Sequence, residues 1–128
     1  MIKHVYSGSK WEKQASYSRA KRMGPYIAVS GTVAVDAAGN VVGAQDAYEQ
    51  ARFILQKIEK ALTEAGASLK DVIRTRLYLG DMKYFEEVGR AHKEAFSGID
   101  PATTAVAVGA LVDPTMLVEI EADAYVEK

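Results

Sequence analysis

Three carboxylates stand at alternate positions near the end of the chain, Glu119, Glu121 and Asp123, inside the segment LVEIEADAYV. In a strand, alternation sends Glu119, Glu121, Asp123 and Tyr125 to one face and Val118, Ile120, Ala122, Ala124 and Val126 to the other. Like charges at that spacing repel, so the row requires basic partners on neighbouring strands or open water. What such a group can do is move protons, because a carboxylate held in a dry cleft has its pKa raised far enough to exchange a proton near neutrality. Cations suited to face the row stand at Arg19, Lys21, Arg74 and Arg76. Ser30 precedes Gly31 inside another β-like stretch, and a glycine there marks a bulge or a close approach by a ligand or another backbone. No histidine is predicted beside Ser30, so the residue types supply a nucleophilic serine with no base.

A succession of short elements must position these groups. Ile2 to Tyr6 reads as a strand broken by Ser7-Gly8-Ser9. Trp11 to Ser16 is expected to be irregular, Tyr17 to Met23 extended, and Gly24-Pro25 a turn into a strand over Tyr26 to Val35. Asp36 to Asn40 closes a hairpin-like turn. A helix then opens at Asp46 with Glu49 three residues on. Its apolar stripe is Ala51, Ile54, Leu55, Ile58, Ala61, Leu62 and Ala65, and Gly66 is its left-handed stop. Val72 to Leu79 reads as a strand with Ile73, Thr75, Leu77 and Leu79 on one face and Arg74, Arg76 and Tyr78 on the other. A second helix opens at Asp81, with Phe85, Val88, His92, Ala95 and Phe96 as its buried stripe and Gly98 as its end. Thr103 to Leu111 and Leu117 to Val126 read as two strands joined by a turn at Asp113-Pro114-Thr115.

The order is thus β, β-β, α, β, α, β-β. Two amphipathic helices cover one face of such a sheet, which predicts a two-layer α+β domain with a mixed sheet of about six strands. The uncovered face is expected to carry Tyr17, Arg19, Lys21, Arg74, Arg76, Glu119, Glu121 and Asp123, beside Thr103, Ala105, Ala107 and Gly109. Arginines opposite carboxylates make the acidic row tolerable, and the small residues allow close approach by another surface. Symmetric self-association is the common use of such a face.

Composition narrows the function classes. The chain has 128 residues, read as one domain over 1–128. Its 16 basic and 17 acidic residues give a net charge of -1, which argues against a nucleic-acid partner. With no cysteine there is no disulfide, thiolate nucleophile or Cys-based zinc site. His4 and His92 sit in no ligand-spaced motif, so no metal is expected. No apolar run approaches the ~20 residues of a membrane span, and the start MIKHVYSGSK lacks a signal-peptide core, so a soluble, cytoplasmic protein is expected.

Across essentially its full length the chain resembles the Rid family (YjgF/YER057c/UK114, also called endoribonuclease L-PSP). The resemblance rests on Tyr17-Ser18, Val29-Ser30-Gly31, Ala65-Gly66, Val88, Pro101-Ala102-Thr103-Thr104 and Val118-Glu119-Ile120-Glu121-Ala122. It implies a chorismate-mutase-like fold and a homotrimer, sheets inward and helices outward, with three clefts between subunits. It further implies cofactor-free hydrolysis of reactive enamines and imines such as 2-aminoacrylate. Tyr17, Ser30, Gly31 and Glu119 fall where deaminase members have cleft residues, and Glu119 would position or deprotonate the attacking water. Backbone groups near Gly31 and Ala105 would face the substrate, with Arg19 and Arg76 as further substrate-binding candidates. The departure is at Thr103, where deaminase members place an arginine that grips the substrate carboxylate. Gly89 and Ala105 also differ from frequent family residues. The residues around Trp11-Glu12 and Tyr17-Ser18-Arg19 resemble the branch lacking that arginine.

Each residue also has a structural reading. Glu119 is alternatively an ion-pair partner for Arg74 or Arg76, Arg19 and Arg76 are alternatively counter-charges, and His92 is a packed, hydrogen-bonded imidazole. Trp11 is either core or cleft lid. Three functions follow: a cofactor-free imine or enamine hydrolase, a non-catalytic metabolite-binding trimer, and an RNA-cleaving protein. The net charge and the want of an aromatic stacking platform speak against the third.

Overall fold

A computed structural model describes residues 1–127 of the chain. Among them are the strands β1 (Ile2–Val5), β2 (Ala20–Met23), β3 (Tyr26–Thr32), β4 (Val72–Leu79), β5 (Ala102–Ala107) and β6 (Val118–Tyr125). The α-helices are α1 (Lys10–Ala15), α2 (Ala47–Glu64) and α3 (Phe85–Phe96). The strands form one sheet in the order β1-β2-β3-β6-β4-β5. Every pairing is antiparallel except β4–β5, which is parallel.

The mixed sheet is covered on one face by α2 and α3, as the pattern predicts. Ile54, Ile58 and Leu62 of α2 and Val88, Ala91 and Phe96 of α3 pack on Ile27, Val29, Leu77, Leu79, Val118, Ile120, Ala122 and Ala124. Asp46 caps α2 by accepting from the Glu49 N–H, 3.0 Å. The other end closes through Ala67 N–H to Leu62 O and Gly66 N–H to Thr63 O, with Gly66 at φ +87. Arg22, only 6% exposed, points into this layer and donates to Ala65 O (2.8 Å) and Gly24 O (2.7 Å). It ties β2 to the end of α2.

Several expectations are corrected. The last two strands do not pair, because β5 follows a crossover through α3 and joins β4 in parallel while β6 lies on the far side of β4. The strand expected to reach Leu111 stops at Ala107: Val108 N–H makes the last rung, to Leu79 O, and β4 ends there. Trp11 to Ser16 is not irregular. Ser9 caps α1 through the Trp11 N–H, and β2 accordingly begins at Ala20 rather than Tyr17. β3 ends at Thr32, short of Val35. A register shift between Val72 and Arg74 turns Ile73 outward and puts Val72 in the core. In α3, Phe85 is 50% exposed and Ala91 takes its place in the stripe.

The parallel register also corrects the uncovered face. Thr103, Ala105 and Ala107 pair with Thr75, Leu77 and Leu79, so they face the helix layer. The residues of β5 that share a face with Arg74, Arg76 and Tyr78 are Ala102, Thr104 and Val106.

Candidate functional site

The site grows from an irregularity in β3. Val29 pairs with Ala122 and Thr32 with Ile120, so Ser30 and Gly31 together oppose Glu121. This is a β-bulge, the local feature expected of a glycine in a strand. The bulge leaves room beside Gly31 for the side chain of Glu119. A Cβ at Gly31 would meet Glu119 Oε2 at 2.5 Å.

Hydrogen bonds from β2 and the turn before it hold the bulge. Ser30 N–H donates to Arg19 O (3.0 Å) and Ser30 Oγ to Ser18 O (2.8 Å). Arg19 Nη1 donates to Gly31 O (2.8 Å) and Thr32 Oγ1 (3.1 Å). Its Nε, buried and without a hydrogen-bond partner among the described residues, lies 3.8 Å from Glu12 Oε2. Arg19 also lies over the Tyr17 ring, 5.7 Å from the centroid. The guanidinium is thus largely committed to structure, and the Ser30 hydroxyl is spent on a carbonyl.

Glu119 differs from its neighbours in the acidic row. Arg76 Nη1 lies 3.4 Å from Glu121 and 3.2 Å from Asp123, and Tyr78 OH donates to Glu121 at 2.6 Å. Those two carboxylates are satisfied. Glu119 makes no hydrogen bond or ion pair with the described residues, so the expected alternative of an Arg74 or Arg76 partner is not what the structure shows. It is half-buried, and burial pushes its carboxyl above the usual range, with Arg19 opposing the shift and Glu121 adding to it.

The sheet therefore brings Tyr17, Arg19, Ser30, Gly31 and Glu119 together. Arg76 shares their face but is held by Glu121 and Asp123. Thr103 and Ala105 are not brought to Glu119: they lie across the sheet, with β4 between β5 and β6. Tyr17 and Ser30 line a cleft of about 780 Å³ together with His4, Lys13 and Lys21, bordered by α1. Glu119 is outside that lining. A smaller hollow of about 190 Å³ between α2 and α3 is remote from all these groups.

Two residues escaped the sequence reading. Glu12 is 4% exposed and accepts from both the N–H (3.0 Å) and the hydroxyl of Ser7. Ser9-Lys10-Trp11-Glu12 has the spacing of a capping box, a signal that would have revealed both α1 and this carboxylate. Lys57 donates to Val33 O (2.8 Å) and Val35 O (3.0 Å). Burial first, and then the Arg19 charge, lower its pKa to about 8.

An α+β chain with two helices on a bulged, mixed sheet and a lone carboxylate at the bulge fits one family by sequence as well. The chain belongs to the endoribonuclease L-PSP family, the Rid or YjgF family, whose model matches residues 8–126. Rv2704 of Mycobacterium tuberculosis, a member of the YjgF/YER057c/UK114 family, has a crystal structure 46% identical in sequence. The match has a TM-score of 0.89 and covers 98% of this chain and 100% of that one. An uncharacterised Streptomyces coelicolor protein, SCO2049, is 37% identical over 97% of this chain and 92% of its own length. A RutC family protein of Pyrococcus abyssi is 36% identical over 99% of this chain and 100% of its own.

Proposed function

We propose that this chain is a cofactor-free hydrolase, of the deaminase type, acting on imine- or enamine-like small metabolites in clefts between subunits of a homotrimer. The observation that carries the reading is Glu119, a half-buried carboxylate with raised proton affinity and no hydrogen-bond or ion-pair partner among the described residues. Water adds to the imine carbon as Glu119 takes its proton. Glu119 passes that proton to nitrogen to give a carbinolamine, then takes the proton of the new hydroxyl and delivers it to the amine, so that the carbon–nitrogen bond breaks and ammonia leaves from a carbonyl. An enamine enters the same sequence after protonation at carbon gives the imine.

The placement of Thr103 supports a site built from more than one copy, since Thr103 and Glu119 of one chain lie on opposite sides of the sheet. The exposed apolar groups Tyr26, Val106 and Tyr125 on the uncovered face supply a surface for self-association. A second reading, a trimer that binds a metabolite without turnover, is favoured by the commitment of Arg19 and Ser30 to structural bonds.

The test is ammonia release from a panel of imines and enamines, run with wild type and Glu119→Gln. Loss of turnover with ligand binding retained is expected, since Gln keeps the shape but cannot carry the proton. Unchanged turnover in the variant would leave the binding reading. With 2-aminoacrylate, the absence of a bidentate arginine at 103 should weaken binding roughly ten- to a hundredfold. Thr103→Arg is expected to improve that substrate.

A further inference from the structure

One glycine stands between two opposite charges that do not pair. Gly31 O accepts from Arg19 Nη1 at 2.8 Å, and a Cβ on the same residue would meet Glu119 Oε2 at 2.5 Å. Burial raises the proton affinity of Glu119, and the Arg19 charge opposes that rise. Yet the ion pairs among the described residues leave Glu119 out. An arginine free to turn toward it would pair with it, because an opposite charge at contact lowers a carboxyl pKa by about 1–3 pH units.

A second carboxylate holds Arg19 back. Glu12 of α1 is 4% exposed, and its Oε2 lies 3.8 Å from Arg19 Nε. Glu12 is itself fixed by Ser7, whose N–H donates to Oε1 at 3.0 Å and whose hydroxyl donates to Oε2. At the other end of the guanidinium, Nη1 is held by Gly31 O and by Thr32 Oγ1 at 3.1 Å. The Tyr17 ring lies 5.7 Å away. Two further charges surround the group. Lys57 of α2 is within electrostatic range of Arg19, Glu12 and Asp36, and Glu121 of β6 is already taken by Arg76 and Tyr78. Among the described residues, Glu12 is the carboxylate within ion-pair distance of Arg19. A buried guanidinium needs such a counter-charge.

We propose that Glu12 is a positioning residue: it holds the Arg19 guanidinium on the Gly31 bulge and so withholds it from Glu119, which stays unpaired. This deepens the proposed function, and rests on it for any effect on turnover. The coupling itself is read without substrate.

The experiment follows the Glu119 carboxyl by carbon NMR as pH is varied in the ligand-free protein, with Glu119→Gln to assign the signal. Glu12→Gln keeps the shape and still accepts a hydrogen bond from Ser7, but offers Arg19 no charge. Glu119 is expected to titrate about 1 pH unit or more lower in this variant, and the pH profile of turnover to move toward acid with it. Removing the Glu12 charge also acts on Glu119 directly, through space. Arg19→Gln separates the two effects: alone it should raise the Glu119 pKa, and in its background Glu12→Gln should lower that pKa far less. A second readout needs no Arg19 variant to fold. In Glu12→Gln the Arg19 Nε–H signal should follow the Glu119 titration, whereas in wild type it should not. An unchanged Glu119 titration in Glu12→Gln, an equal fall with and without Arg19, or an Arg19 signal blind to Glu119 in the variant would each overturn the inference. A protein that releases no ammonia from any imine would leave this coupling intact, so the hydrolytic reading and the Glu12 inference fail separately.

Discussion

The Glu119 carboxylate rests against the Cα of Gly31, close enough that a methyl group on that carbon would meet Oε2 at 2.5 Å. The bulge and the carboxylate are therefore one feature. Gly31 does not occupy the left-handed region, so alanine is acceptable to the backbone there. The atom it would strike ends a flexible side chain. Gly31→Ala should therefore cost less than about 1 kcal/mol in stability and push Glu119 toward water. The carboxyl pKa, followed by NMR, should fall toward the ordinary value, and any turnover should fall with it. A Glu119 titration indistinguishable from wild type would contradict this coupling.

Glu119→Gln also tests the electrostatics of the folded state. The folded carboxyl binds its proton more tightly than the unfolded one, so protonation favours the fold. That contribution declines as pH rises from the unfolded pKa through the raised folded one. The variant should thus match wild type in acid and be at least as stable above neutrality, with a flatter stability–pH profile. If Glu119 balanced an arginine, the variant would instead melt earlier at neutral pH. Denaturant titrations at several pH values distinguish the two.

Lys57 gives the opposite sign. Its folded pKa, about 8, lies below the unfolded value, so the charged form is disfavoured by folding. Stability should climb between about pH 8 and the ordinary lysine value as the unfolded chain alone retains the proton. Lys57→Met should abolish that rise and also destabilise the protein at neutral pH, by leaving Val33 O and Val35 O without their donor. A wild-type profile that is flat over this window, or identical in the variant, would show that Lys57 is not strained.

What the sequence reveals depends on whether a position is set by local period or by distant neighbours. The stripe of α2, the alternation of β6 and the bulge at Gly31 are local patterns, and the fold keeps them. Strand order is not local. Nothing in the run Thr103 to Val126 reveals that β4 lies between its two strands, and the faces of Thr103 and Ala105 follow from that pairing. The lone state of Glu119 is equally non-local, because Arg76 has three carboxylates within its alternation and takes the two that register brings near. α1 went unread because six residues carry too little period, although its capping signal was present.

Gly66 has two reasons to be glycine. It sits at φ +87, and a Cβ would come within 2.8 Å of Arg22 Nη1. Gly66→Ala should lose about 1–2 kcal/mol for the left-handed conformation, and more if the Arg22 contact to Ala65 O is disturbed. In an Arg22→Lys background the steric part should shrink, so the two changes should cost less together than their sum. Strict additivity in chemical denaturation would show that Arg22 does not feel the added methyl group.

The proposed trimer makes the last prediction. Ala107, small and at first sight suited to close approach, lies on the helix-facing side of β5, so a change there does not probe the sheet face. Val106 does: it is 43% exposed and shares that face with Arg76 and Tyr78. Val106→Arg would set a third cation beside Arg74 and Arg76 and, in an assembled face, bury it without a partner, which costs several kcal/mol. Sedimentation of the wild type should give a trimer at micromolar concentration, and the variant should give folded monomers by circular dichroism and mass. If catalysis needs groups from two copies, the monomer should also lose turnover while retaining Glu119 and its bulge. A wild-type chain that sediments as a folded monomer, or a monomeric variant with full activity, would remove the inter-subunit cleft and confine the chemistry to the Glu119–Gly31 site of one chain.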